Sequence, residues 1–300
     1  KSNMPEVNVR IMKPEELEML PRFWIQEVGI PMELRFIKKF YLSDPEGFRV
    51  AVDHKGRIVG MASVLKQTDT LFVMGYMGVS KEFRGKGLGG KLLDNLLARN
   101  PAANYVLSAS NDKLDMYTKK GFKKVDDATG FSYIGKFSVP NKEPPLPEGV
   151  QLIKAKNNTP LVSEIQEFDT SICGFKRNVE LMHFNDPSSV VLAAKQQGKV
   201  VGYGKIQKYM LGGAWVGPVY ATESAIASGL IVGLMKRFQS EKCPFVFGLF
   251  RESGQSIAKT LNLKLADKLT RCYLKPEAEN LPPLKMKSVF VFDDIGFTLV

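Results

Sequence analysis

Val79-Ser80-Lys81-Glu82-Phe83-Arg84-Gly85-Lys86-Gly87-Leu88-Gly89-Gly90-Lys91-Leu92-Leu93 is the stretch whose reading decides the fold. A β-type run, Thr70 to Val79, leads into it, and a leucine-striped helix leaves it. Leu88, Leu92, Leu93, Leu96 and Leu97 recur at the spacing of one buried helical face. Between strand and helix lies a basic turn packed with glycine. Glycine lets main-chain N–H groups crowd around an anion, and a helix N-terminus adds positive potential. The turn therefore reads as a site for a phosphorylated ligand.

The segments around it read as an antiparallel meander. Val7 to Met12 alternates like a strand, and Pro14-Glu15-Glu16-Leu17 opens a helix. Phe48 to Val52 and Ile58 to Leu65 are strands joined by Asp53-His54-Lys55-Gly56, which is hairpin chemistry. After the leucine helix come a short strand, Tyr105 to Ala109, and a helix, Lys113 to Lys120, stopped by Gly121. Phe122 to Val125 and Phe131 to Phe137 are expected to close the sheet.

The second half repeats the first. Ala51–Gly60 lies over Ala193–Gly202 at an offset of 142, and Lys119–Asp126 over Thr260–Asp267 at 141. Trp215 to Val219 takes the place of the strand before the turn, and a helix from Thr222 to Phe238 comes after it. Between the halves, 140–149 holds four of the chain's 17 prolines in or at its edges and reads as a semi-rigid spacer. The expected fold class is α+β, with domains at 1–139 and 150–300 joined by 140–149, each a mostly antiparallel mixed sheet flanked by helices.

Composition narrows the function. The 300 residues suit about two domains. No run of about 18 uncharged apolar residues exists, so no membrane span is expected. Lys1–Pro5 has no apolar signal core, and Met4 reads as the natural start. Cys173, Cys243 and Cys272 are far apart and form no C-x-x-C, so neither a metal site nor a disulfide framework is expected. A reducing intracellular compartment, the cytoplasm, fits this usage. The net charge of +11 is spread evenly: 22 basic and 16 acidic residues over 1–140, and 20 and 15 beyond. Nucleic-acid binding expects a concentrated stripe, so no nucleic-acid partner is expected. A polyanionic small ligand, an acidic partner or a plain basic surface all fit.

The glycine cluster satisfies three patterns. Gly85, Gly87 and Gly90 spell G-x-G-x-x-G; Gly85 to Lys91 spells G-x-x-x-x-G-K; Arg84, Gly87 and Gly89 spell R-x-x-G-x-G. A P-loop needs Ser or Thr after the Lys to hold magnesium, and Leu92 stands there. A dinucleotide fingerprint comes after the first strand of a βαβ unit, with an acid about 20 residues on. Asp112 stands near that distance, but an antiparallel hairpin precedes the glycines. R-x-x-G-x-G after such a meander resembles the GNAT (Gcn5-related N-acetyltransferase) superfamily. Asn111, Met116, Tyr117 and Lys120-Gly121-Phe122 look like that family's later segment. The resemblance covers Val7 to Phe137 directly and the second half through the repeat, so the chain looks like a tandem two-domain member.

That resemblance implies acetyl-CoA as the cosubstrate and a small amine or amino acid as the partner, acylated by direct attack on the thioester. It implies that main-chain groups from Arg84, Gly85, Lys86, Gly87, Leu88 and Gly89 hold the pyrophosphate, and that those of Met77 and Val79 pair with pantetheine. Tyr117 matches the family's general acid. Asn111 matches a position near the coenzyme arm; it reads equally well as a helix N-cap. No carboxylate stands on Leu71 to Gly78 to serve as base; Asp69 reads as a turn residue and Glu27 is distant. That gap leaves open a non-catalytic CoA-binding or scaffold protein, and a protein amine remains an alternative acceptor. The second half puts Thr222–Ala227 where the first has Arg84–Gly90, Ala258 for Tyr117 and Glu252 for Asn111. It reads as a degenerate copy, structural or substrate-shaping. Asp169 and Arg177 could orient an acceptor there or be solvated surface charges. The oligomeric state is not legible.

Overall fold

The structure, a computed structural model, describes residues 6–238, 243–297 and 299; Lys1–Pro5, including Met4, lies outside them. The chain divides into two compact units, 1–106 and 107–300.

The first unit holds β1 (Val7–Ile11), β2 (Phe48–Asp53), β3 (Ile58–Lys66), β4 (Leu71–Val79) and the start of β5 (Asn104–Ser110). β1 to β4 are antiparallel neighbours, and β4 runs parallel to β5 at Leu71–Asn104, Phe72–Tyr105 and Val73–Val106. The helices are α1 (Leu20–Phe23), continued by a π-helical turn over Trp24–Val28, then α2 (Leu34–Ser43) and α3 (Leu88–Leu97). Leu88, Leu92, Leu93 and Leu96 are fully buried, as their spacing predicts. They pack on β3: a Cβ on Gly60 would stand 3.0 Å from Leu92 Cδ1.

The second unit adds α4 (Leu114–Thr118), β6 (Lys123–Lys136), β7 (Val150–Ala155), α5 (Pro160–Cys173), α6 (Val179–Phe184), β8 (Val190–Gln196), β9 (Lys199–Lys208), β10 (Ala214–Ala221), α7 (Ser224–Arg237), β11 (Phe245–Phe250), α8 (Gln255–Thr260), β12 (Lys264–Tyr273) and β13 (Val289–Val291). Its strands lie in the order β12-β6-β11-β13-β10-β9-β8-β7. One core cluster gathers α7, with Leu230, Ile231 and Leu234, against one sheet face; the other gathers Ile165, Ile172, Val179 and Tyr203 beneath α5 and α6.

The duplication holds residue by residue. In the first copy Phe72, Val73 and Met74 face Lys66, Leu65 and Val64; then a bulge intervenes, and Gly78 and Val79 face Met61 and Gly60. In the second, Ala214, Trp215 and Val216 face Lys208, Gln207 and Ile206; the bulge comes next, and Tyr220 and Ala221 face Tyr203 and Gly202. Every pair is related by 142. Each copy also ends its meander on a short parallel ladder.

One expectation changes. Phe122–Val125 and Phe131–Phe137 are not two closing strands but one, β6, and its neighbours are β11 and β12 of the second copy. That pairing is why the compact units part at Val106/Leu107, while the sequence copies part at the proline-rich segment. Within 140–149 the chain packs on the second copy. Leu146 packs against the α7 core, where a Cβ on Gly229 would stand 2.4 Å from Leu146 Cδ2, and Glu143 pairs with Lys236 at 2.5 Å.

Candidate functional site

The turn after β4 is built for bare amides. Gly85 and Gly87 take φ of +73° and +86°, the left-handed region that a side chain disfavours. Around both, a Cβ would meet nothing within 4 Å. Glycine is therefore needed for conformation and not for packing, and the main chain faces open space. Gly87 is the N-cap of α3, and the first bond of that helix runs from Lys91 N to Gly87 O at 3.1 Å. The N–H groups of Leu88, Gly89 and Gly90 point out of the helix end with no intrahelical acceptor. No acidic residue lies in this first turn, and Lys81, Arg84 and Lys86 are exposed around it. Anion binding is the chemistry such an arrangement supports.

Arg84 behaves differently from its neighbours. Its Nε donates to Val79 O at 2.9 Å, and its Nη2 donates to Glu27 O and Val28 O, both at 3.2 Å. Its own amide donates to Lys81 O at 3.3 Å. The guanidinium thus ties the exit of β4 to the end of the π-helical turn. The Arg84 amide, expected in the cradle, has this acceptor, Lys81 O, within its own turn. Lys91, the would-be P-loop lysine, donates from Nζ to Val7 O at 3.0 Å.

On β4, Gly75 faces Ser63 and Gly78 faces Met61, so Tyr76 and Met77 together oppose Ala62. Tyr76 takes φ of +47°, a strained conformation for a non-glycine residue. The bulge re-aims the Met77 peptide just before the glycine turn. Gly78 is pinned from the other face: a Cβ there would stand 2.7 Å from Val28 Cγ2 and 3.2 Å from Trp24. Trp24 and Tyr76 meet edge to face, with ring centroids 6.1 Å apart.

Met77, Val79 and the 84–89 turn lie together in the first unit. Tyr117 and Asn111 lie in the second, on α4 and just before it. Tyr117 is half-buried, edge-on to Phe122 at 6.0 Å. Burial, with a smaller contribution from Cys272, pushes its phenol up to about 12. Asn111 is exposed and caps no helix: the residue preceding this turn is Ser110, whose hydroxyl donates to Asp112 Oδ1 at 2.5 Å. Of the distant bases, Asp69 is an exposed turn residue paired with Lys66 at 2.7 Å, and that pairing lowers its pKa.

The second copy lacks the turn. β10 ends at Ala221 and α7 opens at Ser224, so Thr222–Ala227, set against Arg84–Gly90, run straight into the helix with no glycine among them. Gly202 meets Ile226 as Gly60 meets Leu88, and Ala227 N already donates to Glu223 O at 3.2 Å. No room is left for a glycine turn between strand and helix.

Asp169 and Arg177 are neither solvated nor exposed. Asp169 is fully buried, and Arg177 Nε and Nη2 both donate to its carboxylate. Tyr203 OH donates to Asp169 Oδ2 at 2.6 Å and lies 3.3 Å from His183 Nε2. Lys205 Nζ, 3.3 Å from both His183 Nδ1 and Asp293 Oδ1, continues the chain. Desolvation raises the Asp169 pKa, but Arg177 and the hydrogen bonds outweigh it and leave it lowered. Desolvation carries His183 down to about 3. The ion pair was missed because its partners, eight residues apart around a helix end, look like surface charge in sequence.

The family description "Acetyltransferase (GNAT) domain" matches residues 44–124 and again residues 165–277. No curated protein matches the chain in sequence. Among solved structures it is similar to a Pyrococcus horikoshii protein assigned as an acetyltransferase, at 19% identity and TM-score 0.75, covering 99% of this chain and 97% of that one. It is similar also to a tandem GNAT protein from the clavulanic acid biosynthesis pathway, at 14% identity and TM-score 0.69, covering 91% and 100%. A GCN5-related N-acetyltransferase from Sphaerobacter thermophilus is similar at 16% and 0.65, covering 91% and 98%. At these identities the structures speak for the fold, whereas the two family matches, one in each repeat, speak for descent: the chain belongs to the GNAT acetyltransferase superfamily as a tandem two-domain member.

Proposed function

We propose that the protein is an N-acyltransferase that moves an acetyl group from acetyl-CoA to the amine of a small molecule or amino acid, and that only the first copy binds the coenzyme. GNAT domains generally use acetyl-CoA. The observation that carries the reading is the open turn at Gly85–Gly89, with two left-handed glycines and no acid in the first turn of the helix it opens; nearby Glu82 is paired with Arg57. Such a cradle suits a diphosphate, and acetyl-CoA brings to it a thioester open to attack by an amine.

Each of the chain's own residues then has a task. Amides of Gly85 to Gly89 neutralise diphosphate oxygens, with Lys81 and Lys86 adding charge nearby. The Met77 peptide, re-aimed by the bulge, offers main-chain groups to the extended arm and an N–H to a carbonyl oxygen. Tyr117 holds the proton destined for the leaving sulfur. A phenol near 12 stays protonated through the physiological range, yet it is a weaker acid than a thiol of about 8.5. Its proton must therefore move together with rupture of the carbon–sulfur bond. The attacking amine needs a base or must arrive neutral.

β4 carries no carboxylate, and this one observation favours a second reading, a CoA-binding protein without efficient turnover. A thiol-release assay with acetyl-CoA over a panel of small amines, amino acids and amine-terminated peptides decides. Release with a small amine supports the proposal. Release with peptides alone moves the acceptor to proteins. Tight acetyl-CoA binding with no release under any acceptor favours the second reading.

A further inference from the structure

β13 lies where β10 and β11 part. Those strands run parallel at Ala214–Val246 and Trp215–Phe247. β13 then enters antiparallel to both, with Val219 opposite Val291, Tyr220 opposite Val289 and Phe250 opposite Val291. Arg251 N donates to Phe290 O at 3.0 Å, Phe292 N to Leu249 O at 2.8 Å and Ser253 Oγ to Val289 O at 2.9 Å. Val289, Phe290, Val291 and Phe292 are all buried, so both faces of the segment are covered.

The fold has been shaped around this segment. A Cβ on Gly217 would stand 2.2 Å from Phe292 O, and one on Gly254 would stand 2.3 Å from Phe290 O. Both positions admit glycine because a backbone passes there. Beyond β13, Asp293 O accepts from Trp215 Nε1 at 2.9 Å, and the Asp293 carboxylate meets Lys205 Nζ at 3.3 Å. The buried polar chain from Arg177 to Lys205 thus ends on the segment that β13 belongs to.

Register equates Val219 with Met77, and β13 takes the edge of β10 that faces away from β9. That edge corresponds to the edge of β4 facing away from β3. We propose that β13 is a captive ligand: it occupies in the second copy the main-chain slot whose counterpart on β4 receives the extended arm of the coenzyme. The placement of that arm rests on the function proposed above. An extended peptide and an extended amide-bearing arm satisfy a strand edge in the same way, by main-chain hydrogen bonds. A second coenzyme would have to expel β13 and would find only Thr222 and Glu223 between β10 and α7, with no glycine turn. The chain therefore holds one acetyl-CoA.

The test is acetyl-CoA titration of the full chain, paired with amide exchange across 286–294. The expected result is one site per chain, with 289–292 equally protected in free and saturated protein. Two sites, or exchange at 289–292 rising tenfold at saturation, overturns the proposal. No binding at all contradicts the proposed function instead, and the strand is then judged on Gly254→Ala alone. That variant is expected to speed exchange at 289–292 at least tenfold while leaving any acetyl-CoA affinity within twofold of the parent. An affinity that falls in step with the exchange overturns the proposal, because β13 would then serve the first site. Ser253→Ala, which removes only the hydroxyl bond to Val289 O, gives the same pattern more weakly if Gly254→Ala does not fold.

Discussion

At the residue scale, the glycine turn separates conformation from contact. Gly87 needs its left-handed backbone but has empty space around it. Gly87→Asn, a residue that tolerates this conformation, should cost less stability than Gly87→Ala, for which about 1–2 kcal/mol is expected. Urea unfolding of the two variants checks the order. Arg84 makes the opposite point. Its side chain is a cation at the turn, but the guanidinium is committed to three carbonyls. Arg84→Gln should lower acetyl-CoA affinity less than tenfold while speeding amide exchange at Gly29 and Ile30, which both donate to Trp24 O. A large loss of affinity with unchanged exchange would make Arg84 a phosphate ligand after all. Tyr117→Phe should reduce turnover by about 10²–10⁴ with coenzyme affinity unchanged. Because its pKa stands near 12, Tyr117 stays protonated up to that pH, so its titration adds no alkaline limb to the rate profile below pH 10. A limb near pH 9 that vanishes in Tyr117→Phe would contradict the assignment. Sequence could name these residues by type and spacing. It could not show where a long side chain goes, which is why Asp169 and Arg177 are a buried pair and not solvated surface charges.

At the element scale, what is periodic was legible. The leucine stripe, the Asp53–Gly56 hairpin and the repeat at 142 carry their patterns in the chain, and α3, the β2–β3 hairpin and the matched bulges agree with them. Leu92 shows the link to function. It is fully buried and packs over Gly60 from the helix whose first amides belong to the proposed cradle. Leu92→Ala should cost about 2–5 kcal/mol in unfolding free energy and weaken acetyl-CoA binding as the helix end loses its seat. Unaltered affinity would mean that the turn is positioned without α3. Strand partnership was not legible. β6 has the alternation of a sheet strand whether its neighbours come from its own copy or the other, because pairing is a long-range choice that a local pattern does not encode.

At the scale of the whole molecule, the two copies have diverged in what they bury. The first keeps an open turn at its surface. The second has β13 along the edge of β10 and seals ionisable groups inside. His183, fully buried, is held neutral, with its pKa lowered to about 3 from the 6.5 expected when unfolded. The unfolded chain therefore binds the proton first, so the contribution is complete above pH 6.5 and is lost as pH falls from 6.5 toward 3. Asp169, also depressed in the fold, acts in the same direction at lower pH. Urea unfolding of the second copy, monitored through Trp215, should lose up to about 2 kcal/mol between pH 6.5 and 5 from His183 alone. A variant such as His183→Gln should flatten that slope; equal slopes would show that other groups set it.

The central claim is that a coenzyme diphosphate rests on the main chain of Gly85 to Gly89 in the first copy. Calorimetric titration of acetyl-CoA into the parent protein and into Gly87→Asp, with ATP and NAD as competitors, tests it most directly. The account predicts one site per chain in the parent, no measurable binding in a Gly87→Asp protein that remains folded, and no competition from NAD. Silence toward acetyl-CoA, or binding of ATP or NAD that Gly87→Asp abolishes, would contradict it.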